Sequence, residues 1–129
     1  MKLALLLLTS FLLTCPLAAQ AENWVWVDES TDGTRIYVDQ DSIRRQGRFV
    51  WYWDLLRRKV PDAAGALSTR TYRSAECNIG TIRNRKVLKY DRNHQLLRSQ
   101  THGDRGPLFK VEPNSLAYAA LQFACDTQT

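Results

Sequence analysis

Arg48-Phe49-Val50-Trp51-Tyr52-Trp53-Asp54-Leu55-Leu56 is built from aromatic and branched residues that suit a pleated, half-buried surface. The two-residue period of a strand puts Phe49, Trp51, Trp53 and Leu55 on one face and Val50, Tyr52 and Leu56 on the other. Apolar residues on both faces mark a central strand, covered on both sides. This segment makes the domain a sheet protein, and its neighbours follow from that.

Upstream, Trp24-Val25-Trp26-Val27 is rich in strand formers, and Thr31-Asp32-Gly33-Thr34 supplies the Asp-Gly signal of a tight hairpin. Arg35 to Asp39 is the returning strand. Asp39-Gln40-Asp41-Ser42 then suits a short turn or a single helical turn, because Asp and Ser side chains bond their own backbone. Downstream, Pro61 to Gly65 is a loop, since Pro61 lacks the N–H a ladder needs. Ser68 to Cys77 and Thr81 to Tyr90 are two further strands. In the second of these the alternation sets Ile82, Leu88 and Tyr90 against Arg83, Arg85 and Lys89. Asp91 to His94 turns the chain into Gln95 to Thr101, and Thr101 to Pro107 reads as a flexible connection.

The C-terminal segment changes period. Pro113-Asn114-Ser115 precedes the alanine-rich run Leu116 to Cys125, which predicts a capped helix of about ten residues. Leu116, Ala120 and Phe123 recur at helical spacing and share a face. A helix this short is marginal alone and must pack on the sheet. A sheet of about six strands with one terminal helix is an α+β domain. One helix covers only one side. The other is left to sheet curvature, to the Trp24/Trp26 strand and loops, or to another chain.

The N-terminus sets the compartment. Met1-Lys2, the apolar run Leu3 to Leu8 continued by Phe11-Leu12-Leu13, and Ala19-Gln20-Ala21 are the parts of a secretory signal peptide. The apolar stretch falls short of the roughly 20 residues of a permanent span. Residues 1–21 are therefore expected to be removed, leaving one domain over residues 22–129 with no transmembrane span, periplasmic or secreted. Leu12-Leu13-Thr14-Cys15 offers the alternative of a lipoprotein anchored through Cys15, which bulky Thr14 and the following Pro16 disfavour. With Cys15 in the leader, Cys77 and Cys125 remain, and an even pair in an oxidising compartment closes a disulfide. Its loop of about 49 residues gives a chain-entropy stabilisation of about 4 kcal/mol.

Taken together, Trp24-Val25-Trp26, Tyr37-Val38-Asp39 with Ser42-Ile43-Arg44-Arg45, Val50-Trp51, Ser74-Ala75-Glu76-Cys77, Pro113-Asn114-Ser115 and Cys125 resemble the surface-adhesin protein E-like family of small exported bacterial domains. The resemblance covers Trp24 to Cys125. It implies an antiparallel sheet with a packed helix and a cysteine bridge, and a binding role in which a homodimer is one possibility. It carries no ligand-contact residue onto this chain.

Catalytic patterns are missing. His94 and His102 both fall in turn or loop sequence, and their spacing fits neither a helical metal pair nor a zinc finger. No Gly-x-Ser-x-Gly elbow, phosphate-binding loop or dinucleotide fingerprint occurs. Pairing of Cys77 with Cys125 leaves no thiolate nucleophile. Asp39 and Asp41, two apart in a turn, suit backbone capping better than acid–base chemistry. No catalytic residue, metal site or cofactor is assigned.

Binding surfaces are better represented. Trp51, Tyr52 and Trp53 are candidate anchors for a ligand or a second copy, set against plain internal burial. The chain carries a net charge of +5, with Arg57-Arg58-Lys59 ending the central strand and Lys86 and Arg92 adding to the next basic group. Arg83, Arg85 and Lys89 on one strand face would form a basic stripe at about 7 Å per two residues, near the charge spacing of a polyanion. The alternative is a solvated face that discourages edge pairing. Export excludes intracellular nucleic acid as partner. The reading is a non-enzymatic binding module of the cell envelope for a protein or acidic surface. The alternative is an inhibitor or accessory subunit of a periplasmic enzyme.

Overall fold

The computed structural model describes residues 22–127; the leader expected over residues 1–21, with Cys15, lies outside the described residues. In chain order the strands are β1 (Trp24–Glu29), β2 (Arg35–Asp39), β3 (Arg44–Gln46), β4 (Phe49–Arg57), β5 (Ser68–Glu76), β6 (Thr81–Tyr90), β7 (Leu96–Thr101) and β8 (Leu108–Lys110), followed by α1 (Leu116–Asp126). They form one antiparallel sheet in the order β1-β2-β4-β5-β6-β7, with β3 also on β4 and β8 also on β6.

β4 is central, as its two apolar faces require. It pairs with β5 along its whole length, while β3 and β2 share its other edge. Val50 and Tyr52 are buried on the covered face with Ile36, Val38, Ala75 and Ile82, and there they meet Ala120, Leu121 and Ala124 of α1. The helix packs over β1, β2 and β4. Its seam is centred on Ala120, Leu121 and Ala124, with Leu116 and Phe123 at the margins. Alanine at this seam brings the helix close to the strands, and burying Leu121 contributes about 2 kcal/mol. The Ser115 hydroxyl caps the helix by accepting from the Tyr118 N–H at 3.1 Å. Cys77 and Cys125 form the disulfide, Cα atoms 5.9 Å apart, joining the end of β5 to the last turn of α1.

The Asp-Gly turn forms between β1 and β2. Gly33 has φ +84°, a left-handed conformation that glycine adopts without steric cost. Hydrogen bonds from the Ser30 hydroxyl first, then the Thr34 N–H, lower the Asp32 carboxyl to about 2.

Three features depart from the alternation read in the sequence. Thr101 to Pro107 is structured: Gly103–Arg105 make a 3-10 turn and the chain returns as β8. Three bonds pin it to β6, from Asn84 N to Pro107 O, from His102 N to Arg85 O, and from Arg83 Nη1 to Gly106 O. A Cβ at Gly106 would fall 1.6 Å from the Asn84 carbonyl oxygen, so only glycine passes there. Secondly, β3 and β8 have three residues each, too short to show a period. Thirdly, a bulge lies between Tyr72 and Arg73, opposite Asn84 to Lys86. One extra residue on β6 reverses the facing of everything beyond it.

Candidate functional site

The face of the sheet away from α1 carries all four tryptophans. Alternation and register set Trp51 and Trp53 beside Ser74 and Tyr72, and Trp24 and Trp26 at the β1 side of the same face. No other element of the described residues packs over it as α1 packs over the opposite face. Trp26 is 57% exposed. The remaining rings are half-buried, largely by one another and by arginines.

Arg85 lies over the Trp51 ring at 4.3 Å while its Nε donates to the Ser74 hydroxyl at 2.9 Å. Trp51 is sealed beneath it, with the indole N–H buried and unpartnered among the described residues. Trp53 stacks on Tyr72 across the β4–β5 ladder, ring centroids 5.2 Å apart and planes 24° from parallel. Such a pair adds about 1 kcal/mol beyond its burial and fixes both ring orientations. Arg70, on β5, stands between two further rings, 5.6 Å from the Trp24 centroid and 5.2 Å from that of Tyr90. The Glu22 carboxylate ties this group together: one oxygen accepts from the Trp24 indole and the other from Arg70 Nη1, both at 2.8 Å.

Curling of the sheet brings Glu22 and Trp24 across to β5 and leaves two clefts beside them. One, of about 390 Å³, is walled by Trp24, Trp53 and Tyr72, with Asp39, Ser42 and Arg44 at its polar side. The other, of about 290 Å³, lies towards Leu55, Arg57, Tyr90 and His94. Both share Glu22, Trp24 and Arg70.

The residues singled out in the sequence separate. Trp53 lines the larger cleft, and Trp51 supports the face from beneath Arg85. Tyr52 is 0% exposed on the opposite face, where it is out of reach of any ligand on the tryptophan face. Arg83 and Arg85 lie on the tryptophan face beside Ser74. Lys89 does not join them: past the bulge it pairs with Thr69, in the row of Leu56 on the covered side, and its Nζ is 3.6 Å from Asp62. The Asp62 carboxyl is held below the usual range, chiefly by the Ala66 N–H. The basic stripe is therefore broken, and Lys86 takes the position opposite Tyr72. Asp39 serves the backbone, accepting from the N–H groups of Asn23 and Asp41 at 3.0 and 3.2 Å. His94 turns the chain between β6 and β7 at φ +60°, and His102 begins a 3-10 turn. Among the described residues no His, Cys, Asp and Glu gather in a group of three or more able to hold a metal.

On the covered face, Asp54 and Arg73 make an ion pair at 2.5 Å, and Arg73 also donates to Asn84 Oδ1 at 2.6 Å. Burial raises the Asp54 carboxyl above its ordinary value, against the pull of Arg73. Burial, the largest single influence, would lower Arg73, but the Asp54 charge, the Tyr52 phenol and the hydrogen bond to Asp54 together outweigh it and the net direction is up. This pair sits in the core, away from both clefts.

A helix-backed antiparallel sheet, closed by one disulfide and presenting a row of rings and guanidiniums, defines a small domain built around one open face. The chain belongs to the surface-adhesin protein E family, whose family model matches residues 24–126. Among solved structures it is similar to crystal form II of Haemophilus influenzae protein E, with 14% identity over 86% of this chain and 93% of that one and a TM-score of 0.55. It is also similar to the selenomethionine form of that protein, with 15% identity over 81% and 92% and a TM-score of 0.52. At such identities the likeness is one of fold. No curated protein matches the chain.

Proposed function

We propose that the chain is an exported bacterial envelope protein acting as a non-enzymatic binding module, and that the tryptophan face is its contact surface. One observation carries this reading. All four tryptophans lie on the single sheet face that α1 leaves uncovered, and Trp, Tyr and Arg are the side chains that anchor interfaces. Membership of a family described as surface adhesins agrees with a binding role. Among the described residues no helix is long and apolar enough to cross a membrane.

The test is adhesion. Beads coated with residues 22–129 are counted on epithelial monolayers, for the natural chain and for a Trp26→Ala/Arg83→Glu variant. Loss of retention with an unchanged melting profile supports the face; equal retention removes it. The intact mass of the native protein reads the compartment: a chain starting at Glu22 means release, and a diacylated chain starting at Cys15 means a lipid anchor.

A further inference from the structure

We infer that the cleft between Trp24, Trp53 and Tyr72 is a subsite for a neutral saccharide, a proposal that rests on the tryptophan face being the contact surface and names the chemistry it takes. Shape comes first. The two clefts adjoin, with Glu22, Trp24 and Arg70 in the lining of both and Glu22 ion-paired to Arg70. A volume of about 390 Å³ for the larger part lies at the small end of ligand pockets, the size of one or two sugar rings rather than a folded partner.

The lining then selects the class. Indole and phenol faces carry negative π density. The flat side of a pyranose presents C–H bonds polarised positive by the ring oxygens, so the two attract while water leaves both. The stacked Trp53–Tyr72 pair supplies that wall already oriented, which lowers the ordering cost on binding.

Charge decides between a neutral ligand and a polyanion. Three carboxylates, of Glu22, Asp39 and Asp41, and two guanidiniums, of Arg44 and Arg70, line the larger cleft. Arg70 is paired with Glu22, Arg44 Nη1 donates to the carbonyls of Asp41 and Ile43 at 2.9 and 2.8 Å, and Asp39 accepts two backbone N–H groups. A polyanion therefore meets an excess of negative charge there. Each guanidinium still has further N–H donors and each carboxylate further lone pairs. That mixed set of donors and acceptors complements hydroxyl groups, which both give and accept.

The experiment follows the indole N–H signals by NMR as chitohexaose, cellohexaose or dextran sulfate is added to residues 22–129. The expected result is movement of the Trp24 and Trp53 signals with a neutral hexasaccharide, and about tenfold weaker binding for Trp53→Ala, the loss of one stacking partner. Tyr72→Phe, which keeps the ring, should bind as the natural chain does. Unmoved indoles at millimolar hexasaccharide overturn the proposal, as does movement with dextran sulfate alone. Trp26 and Arg83 do not line this cleft, so the two readings fail separately. Lost bead retention in that variant beside unmoved indoles would sink the saccharide subsite and leave the contact face standing.

Discussion

The two faces of β4 both carry apolar and aromatic side chains and meet opposite fates. Val50 and Tyr52 on the helix side lose all contact with solvent, whereas Trp51 and Trp53, one residue away, stop half-buried among arginines. Hydrophobicity does not separate them; what the rest of the chain lays over each face does. Aromatic residues on a covered face are core. On an uncovered face they are held upright by guanidiniums, which keep the surface wetted without filling the clefts.

The first consequence is a difference in stability. Tyr52→Ala should cost about 4 kcal/mol, in the range for emptying an aromatic site in a core. Trp26→Ala should cost under about 0.5 kcal/mol, as surface substitutions do. Urea unfolding of both variants checks this, and equal losses would mean the open face is as structural as the core.

Charge gives a second, smaller contrast. Asp54, 1% exposed, and Arg73 form a pair inside the covered half, while Asp104, which meets Arg85 on the open face, is 94% exposed. Asp54→Ala leaves a buried guanidinium without its counter-charge and should cost about 3 kcal/mol, whereas Asp54→Leu with Arg73→Met should recover most of that. Asp104→Ala should change stability by less than about 0.5 kcal/mol. A double-mutant cycle showing no coupling between Asp54 and Arg73 would break the contrast.

The smallest effect is in pH. Burial raises the folded-state pKa of Asp54 above its unfolded value of about 4, so the folded chain holds that proton more tightly. The contribution is fully present below the unfolded pKa and is lost as pH rises through the folded one. The natural chain should therefore gain stability relative to Asp54→Asn as pH falls from 7 towards 4. A constant difference would show that Arg73 keeps the carboxylate ionised throughout.

Much of the covered face was legible. The run from Phe49 to Leu56 showed which side chains share a face, the cysteine pair and export predicted the bridge, and Ser115 marked the start of the helix. The open face was harder, because its groove joins residues far apart in the chain: Glu22 meets Arg70 across 48 positions. The bulge was invisible to alternation, since one inserted residue leaves local composition unchanged while moving Lys89 to the other side and Leu88 into the cleft. One signal was present. Arg70 and Arg73, three apart in one strand, must face opposite ways, so one of them had to enter the covered side, where Asp54 follows Val50 and Tyr52.

The disulfide also determines how the domain would carry load. A pull between the ends of the described chain travels from Glu22 through β1 to β5, reaches Cys77, and crosses directly to Cys125. Residues 78–124, between those cysteines, lie off the force path. Their β6, β7 and β8 and nearly all of α1 would bear tension only through their hydrogen bonds to loaded strands. That covalent shortcut keeps up to about 160 Å of contour from paying out, so under stretching the domain would lengthen by its N-terminal half alone.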